Sequence, residues 1–205
     1  MLQADLLKRY PVLFHMTNGS AWPSIKNYGL LSPKAIYERL NFPPEEIRRQ
    51  IRLHRPEKVP LGGFVLRDQR PLRPHNLAHN LKGSDLNPED WHESLNERVF
   101  FSTKAKFVAE LRESYLTDAA TVILIDTAKL LQRHRETIEL TKFNSGAARM
   151  PSHKKNRADF QAVGTFPFAN TFKPKELTVL HSVPEIEPLL IEVVHLPPHT
   201  PFAWR

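Results

Sequence analysis

Apolar and polar positions along the chain follow two periods in turn. Leu13, His15 and Thr17 alternate with Phe14 and Met16, which is the period of a strand. Strand-like runs also fall near residues 64–66, 98–103, 121–126, 177–183 and 189–194, and Ile138 to Leu140 reads as an edge strand. Helical spacing links Leu2, Leu6, Leu7 and Tyr10 in a lead-in segment. Ser20 is placed to cap a helix with Pro23 in its first turn and Gly29 just past its end. Short helices are predicted over 34–40 and 128–132, and a longer one over 45–55 after a Pro-Pro entry. Asn87, Pro88 and Asp90 are a helix start, with Trp91 and Leu95 on one face. Lys104 to Tyr115 is amphipathic, with Phe107, Val108 and Leu111 on one side. Runs of strand period separated by helices predict an α+β chain whose strands are mostly antiparallel.

Composition narrows the setting. The chain has 205 residues, 40% hydrophobic and 25% charged, the balance of a globular protein with a real core. The expectation is one domain over 1–205, with a basic helical and loop insertion around 41–95. No long uncharged apolar run reads as a membrane span, and MLQADLLKRYPV lacks the pattern of a secretory signal. Cysteine is absent, so disulfide and thiol chemistry are excluded, and a cytoplasmic location is expected. The net charge of +7 tilts the partner toward a polyanion.

That charge is concentrated. Arg48, Arg52 and Arg55 fall at i, i+4 and i+7 and share one face of the 45–55 helix if it runs its full predicted length. Residues 142–157 hold Lys142, Arg149, Lys154, Lys155 and Arg157 and no acid. A solvated face and a phosphate-contacting face are both consistent with such runs. Thr165 to Lys175 has two prolines and three phenylalanines, including Phe168, and reads as a rigid loop with exposed or half-buried rings. The Pro-rich tail from Pro197, with Trp204, reads as a surface strap.

Few residues suggest chemistry by spacing alone. His75 and His79 stand at a helical metal-binding interval, but the HExxH glutamate and a third ligand are missing. A 2H phosphoesterase needs two His-x-Thr/Ser motifs; His15-Met16-Thr17 fits, and His181-Ser182-Val183 fails at its third position. On spacing alone His15 is an ordinary strand residue.

Three blocks in order carry a resemblance. LFHMTNGSAWPSIKNYGLL (13–31), RVFFST (98–103) before a helix, and a strand opening at Glu176, ELTVLHSV, resemble the ADP-ribosyltransferase superfamily, closest to its DarT-type and poly(ADP-ribose) polymerase-like members. The resemblance implies a split β-sandwich of two small, mostly antiparallel sheets with flanking helices. It implies NAD as substrate, with Glu176 as the catalytic carboxylate and His15 on a ribose hydroxyl. The backbone of Met16 would hold the nicotinamide amide, with Thr17 beside it. Phe100 and Ser102 would line the pocket on one strand face, with Phe101 turned away. The position of the stacking tyrosine is Leu111, so Phe107 or Tyr115 would have to serve. An Arg-x-Pro pattern near the nucleotide has a loose counterpart in Arg67 to Leu72.

DarT-type relatives modify single-stranded DNA, and the concentrated positive charge makes single-stranded DNA or RNA the expected acceptor here. Arg48, Arg52, Arg149, Lys154, Lys155 and Arg157 are the residues expected to border it, with Phe168 stacking an unpaired base. The toxin-type resemblance also accommodates an antitoxin or another protein partner. An RNA 2'-phosphotransferase and an inactive binding module on the same fold remain as alternatives.

Overall fold

The computed structural model describes residues 2–148, 154–167 and 173–204, with Leu2 and Gln3 described for their backbone only. Eleven strands are present among them: β1 Val12–Asn18, β2 Leu30–Leu31, β3 Val59–Leu61, β4 Phe64–Leu66, β5 Arg98–Ser102, β6 Ala120–Asp126, β7 Ile138–Thr141, β8 Gln161–Ala162, β9 Glu176–Leu180, β10 Ser182–Val183 and β11 Leu190–Leu196. The helices are α1 Leu2–Arg9, α2 Trp22–Tyr28, α3 Pro33–Arg39, α4 Pro44–Ile51, α5 Pro74–Asn80, α6 Pro88–Asn96, α7 Ala105–Glu113 and α8 Thr127–His134. Seven strands form one antiparallel sheet in the order β11-β6-β1-β5-β9-β7-β8, and β2-β10 and β3-β4 are separate pairs.

The expectation of two small sheets is corrected in one respect and explained by the register. β1 pairs with β6 along its whole length, but with β5 only at Phe14↔Ser102. A three-strand half and a four-strand half are thus joined by a single rung. Both halves share one apolar face, where Leu13, Ile123 and Ile125 pack with Val99, Phe101, Leu177 and Val179. On the opposite face they are covered separately. Val108 of α7 and Phe202 of the tail lie over Phe14, Val122 and Leu124. Trp91, Leu95 and Leu77 of α5 and α6 lie with Phe100 and Phe143. β6 is covered on both sides, so six of its seven residues are buried.

Several local readings hold for identifiable reasons. Gly29 ends α2 with φ +76°, and a Cβ there would lie 2.3 Å from the Val183 carbonyl, so only glycine lets β2 approach β10. Asn87 and Asp90 form the reciprocal capping box of α6. Trp204 stands edge-on to Phe14, at 6.2 Å between ring centroids, and Phe202 does the same, so the tail is a strap over β1.

Other readings change. The cap at the start of the first helical turn is Asn18, whose side chain accepts from the Ser20 amide, because an Asx side chain reaches two residues on. The 177–183 run breaks at His181, which has φ +67°, into β9 and β10. β7 is an interior strand, since β8 covers its outer edge. Helix α4 stops at Ile51, so the Arg48-Arg52-Arg55 face does not exist: Arg52 is the C-cap and Arg55 lies in the following loop. Pro56 disfavours a helical Arg55, which fits this early end. Phe166 is buried in the main core, while Phe168 and Arg149 lie outside the described residues. Among the described residues no helix is long and apolar enough to cross a membrane.

Candidate functional site

The junction between the two halves opens into a cavity of about 470 Å³. Its origin lies in backbone hydrogen bonding. Continuing the register from Phe14↔Ser102 would bring Met16 opposite Phe100, but the strands have parted there. Side chains satisfy the two carbonyls that the missing rung would have used. His15 Nδ1 donates to the Phe100 carbonyl at 2.8 Å, and Arg67 Nη1 donates to the Met16 carbonyl at 2.8 Å. The Arg67 guanidinium also stacks on the Tyr115 ring, 3.9 Å from its centroid.

This arrangement fixes the state of His15. With Nδ1 carrying the proton toward Phe100, neutral His15 has its lone pair on Nε2. Nε2 has no hydrogen-bond partner among the described residues. Burial lowers the imidazole pKa to about 4, with the Phe100 bond opposing and the Arg67 charge adding to the effect. At neutral pH His15 is an acceptor suited to a hydroxyl donor.

Glu176 opens β9 opposite Ser102 and also lines the cavity. Its Oε2 accepts from the Ser145 amide at 3.0 Å and from Ser145 Oγ at 2.6 Å. Thr141 Oγ1 lies 3.4 Å from the same oxygen, but donates more closely to the Phe143 carbonyl at 2.7 Å. Oε1 accepts no hydrogen bond among the described residues. One carboxylate oxygen is thus anchored and the other is not. Burial raises the Glu176 pKa above the usual carboxylate value, against the Ser145 bonds and the Lys155 charge.

The other expected pocket residues are brought together here. Met16, Thr17, Phe100, Ser102 and Phe107 line the same cavity, as do Leu111 and Tyr115. Phe101 is turned into the main core, as strand alternation requires. Phe107 reaches the cavity from the first turn of α7 and Tyr115 from the turn that follows the helix.

The expected acceptor residues are not brought there. Arg48, Arg52, Lys154 and Arg157 do not line the cavity. Arg52 is bound by three acids of α6, Glu89, Asp90 and Glu93, at 3.4, 2.8 and 2.5 Å. Lys155 is a core residue, 1% exposed, rather than a rim cation. Arg48 and Arg157 are exposed, and Lys154 donates to the Lys82 carbonyl. The cationic side chains that do line the cavity include Arg55, Arg67 and Arg98. His75 and His79 are exposed on α5, and no cluster of three metal-ligand residues occurs among the described residues.

A family profile described only as a family of unknown function, DUF7002, matches residues 11–190. The chain belongs to the DUF7002 family. The matched span runs from the residue before β1 to the first residue of β11. His15, Phe100, Ser145 and Glu176 all fall inside it, so the seam between the halves is within the DUF7002 region. No curated protein matches this DUF7002 chain in sequence.

The two most depressed histidines give the fold a pH dependence. His92 is buried on α6 with Nδ1 unpartnered, its ring 5.4 Å from that of His54, and burial lowers its pKa to about 4. His15 is lowered to about the same value. An unfolded histidine titrates near 6.5, so both groups take up protons more readily in the unfolded chain. Their stabilising contribution is present above pH 6.5 and is lost as pH falls toward 4. Each is expected to remove on the order of 1–2 kcal/mol by pH 5. Urea denaturation at pH 7.5 and pH 5 should show this loss, and His92→Leu should reduce it.

Proposed function

We propose that this protein is an NAD-dependent ADP-ribosyltransferase that moves ADP-ribose from NAD to a macromolecular acceptor. One observation carries the reading: a neutral imidazole with a free acceptor nitrogen and a carboxylate with one free oxygen line the same cavity. Breaking the nicotinamide–ribose bond develops positive charge on the ribose. Glu176 Oε1 is the group to hydrogen-bond the adjacent ribose hydroxyl and stabilise that charge. His15 Nε2 is the group to accept from a hydroxyl of the other ribose. Phe100 and Phe107 supply flat apolar surface for the nicotinamide. The Met16 carbonyl, which already accepts from Arg67, has a second lone pair for the nicotinamide amide.

A second reading, an RNA 2'-phosphotransferase, is favoured by Arg55, Arg67 and Arg98 among the cavity residues, since a phosphate on the acceptor needs cations inside the cleft. The test incubates the protein with NAD radiolabelled in its adenylate phosphate, together with single-stranded DNA, RNA or protein pools, at low and raised salt. The expected result is nicotinamide release with label on one macromolecular pool. Release of nicotinamide only in the presence of 2'-phosphorylated RNA, with no retained label, would favour the second reading. Absence of nicotinamide release with every pool would remove both.

A further inference from the structure

The segment after β7 contains a lysine that the proposed chemistry does not touch. Lys155 is 1% exposed, yet among the described residues its ammonium forms no salt bridge. Its Nζ lies 4.7 Å from the centroid of the Trp91 ring and 4.6 Å from that of Phe143. Among the described residues its ammonium donates to the Ser145 carbonyl, at 3.2 Å. Trp91 Nε1 donates to the same carbonyl at 3.4 Å. The Lys155 amide is tied in turn to the Asn80 carbonyl at the end of α5, at 2.9 Å.

Burying an ammonium in an apolar shell is unfavourable unless something offsets it. Two ring faces and a shared carbonyl do so here. What they fix in place is Ser145, the residue whose amide and hydroxyl both hold Glu176 Oε2. Ser145 belongs to a turn, Asn144-Ser145-Gly146, with no regular secondary structure of its own. Such a turn positions a carboxylate only if its carbonyl side is held as firmly as its amide side.

We infer that Lys155, caged by Trp91 and Phe143, is the positioning residue of Glu176, acting through the carbonyl, amide and hydroxyl of Ser145. The inference rests on Glu176 being the reactive carboxylate of the proposed transfer. It gives the segment around α5 and α6 a role, since α6 supplies Trp91 and α5 supplies the anchor for the Lys155 backbone. The lysine charge also acts on Glu176 directly, pulling its titration down, while Glu176 and Asp159 support the protonated lysine.

The test compares Lys155→Met, Lys155→Arg and Ser145→Ala with the unaltered chain. The carboxyl titration of Glu176 is followed by NMR with ¹³C-labelled glutamate, assigned by its loss in Glu176→Gln, and NAD turnover is measured in parallel. Lys155→Met is expected to move the Glu176 midpoint upward and to lower kcat by up to about 10²-fold, the penalty of a reacting group displaced by about 1 Å. KM for NAD stays near its original value, because substrate contacts are untouched. Lys155→Arg, which keeps the charge and stacks on rings, is expected to return both readings toward the original. Ser145→Ala leaves the cage intact and covers the case in which Lys155→Met does not fold. A folded Lys155→Met, or a Ser145→Ala, with unchanged Glu176 midpoint and unchanged kcat would overturn the inference. If the unaltered chain releases no nicotinamide, the transfer reading fails; the NMR arm still decides whether Lys155 governs Glu176.

Discussion

Glu176→Gln should abolish NAD turnover while making the protein more stable. The catalytic half of this expectation follows from where the carboxylate acts. A charge that stabilises only the developing cation lowers the barrier without adding to ground-state affinity, so its loss appears in kcat. Removing one such electrostatic group is worth about 10²–10³-fold or more. The glutamine carbonyl can still accept from Ser145, so the turn and the cavity keep their shape. The stability half follows from burial. Glu176 titrates above the ordinary carboxylate value in the folded chain. The folded state therefore holds its proton more tightly, and that contribution is present below the unfolded pKa and lost as pH rises through the folded one. At neutral pH the ionised carboxylate is a net liability to folding. Glutamine does not ionise, so Tm should rise, by about 2–4 °C for each kcal/mol recovered in a chain of this size. The gain should vanish toward acid pH. Calorimetry across pH, nicotinamide release and NAD titration calorimetry check the three parts. A variant that turned NAD over normally would remove Glu176 from the chemistry.

Arg112→Met should weaken the fold by several kcal/mol, at about 1–3 kcal/mol for each buried carbonyl left without a donor. Arg112 is 1% exposed, and its guanidinium donates to five backbone carbonyls and no acid. Three of them, from Tyr115, Leu116 and Asp118, lie in the turn after α7. The others, from Pro197 and Thr200, lie in the C-terminal strap. Five donors in a fixed planar fork match five carbonyls, and methionine restores none of these bonds. The strap packs Phe202 and Trp204 on Phe14, the residue at the single rung between the sheet halves. The variant should therefore lose midpoint in urea and expose the chain after Leu196 to limited proteolysis before the sheet itself unfolds. Retention of both properties would show that water replaces the arginine without loss.

The parts of the site that were legible in the sequence are those set by strand period. Once RVFFST is a strand, Phe100 and Ser102 must share a face and Phe101 must leave it. Once ELTVL is a strand, Glu176 must open it, whereas its place opposite Ser102 is set by the pairing of β9 with β5, which strand period does not fix. The capping box of α6 was equally plain, because Asn87 and Asp90 satisfy each other within one turn. Long-range partners were not. Nothing in Asn144-Ser145-Gly146 shows that the serine will meet a glutamate 31 positions later. Lys155 reads as one more cation in a basic run, and only folding brings Trp91 and Phe143 around it. Arg52 reads as a solvated charge until α6 places Glu89, Asp90 and Glu93 beside it. The early end of α4 is different in kind, since Pro56 carried a local signal for it.

The seam in the sheet has a mechanical consequence. The halves that carry His15 and Glu176 are held across β1 and β5 by one rung, one imidazole and a shared apolar face. Any molecule that touches both residues at once acts as a strut across that seam. Its binding energy then enters as cohesion between the halves, stiffening the join between them.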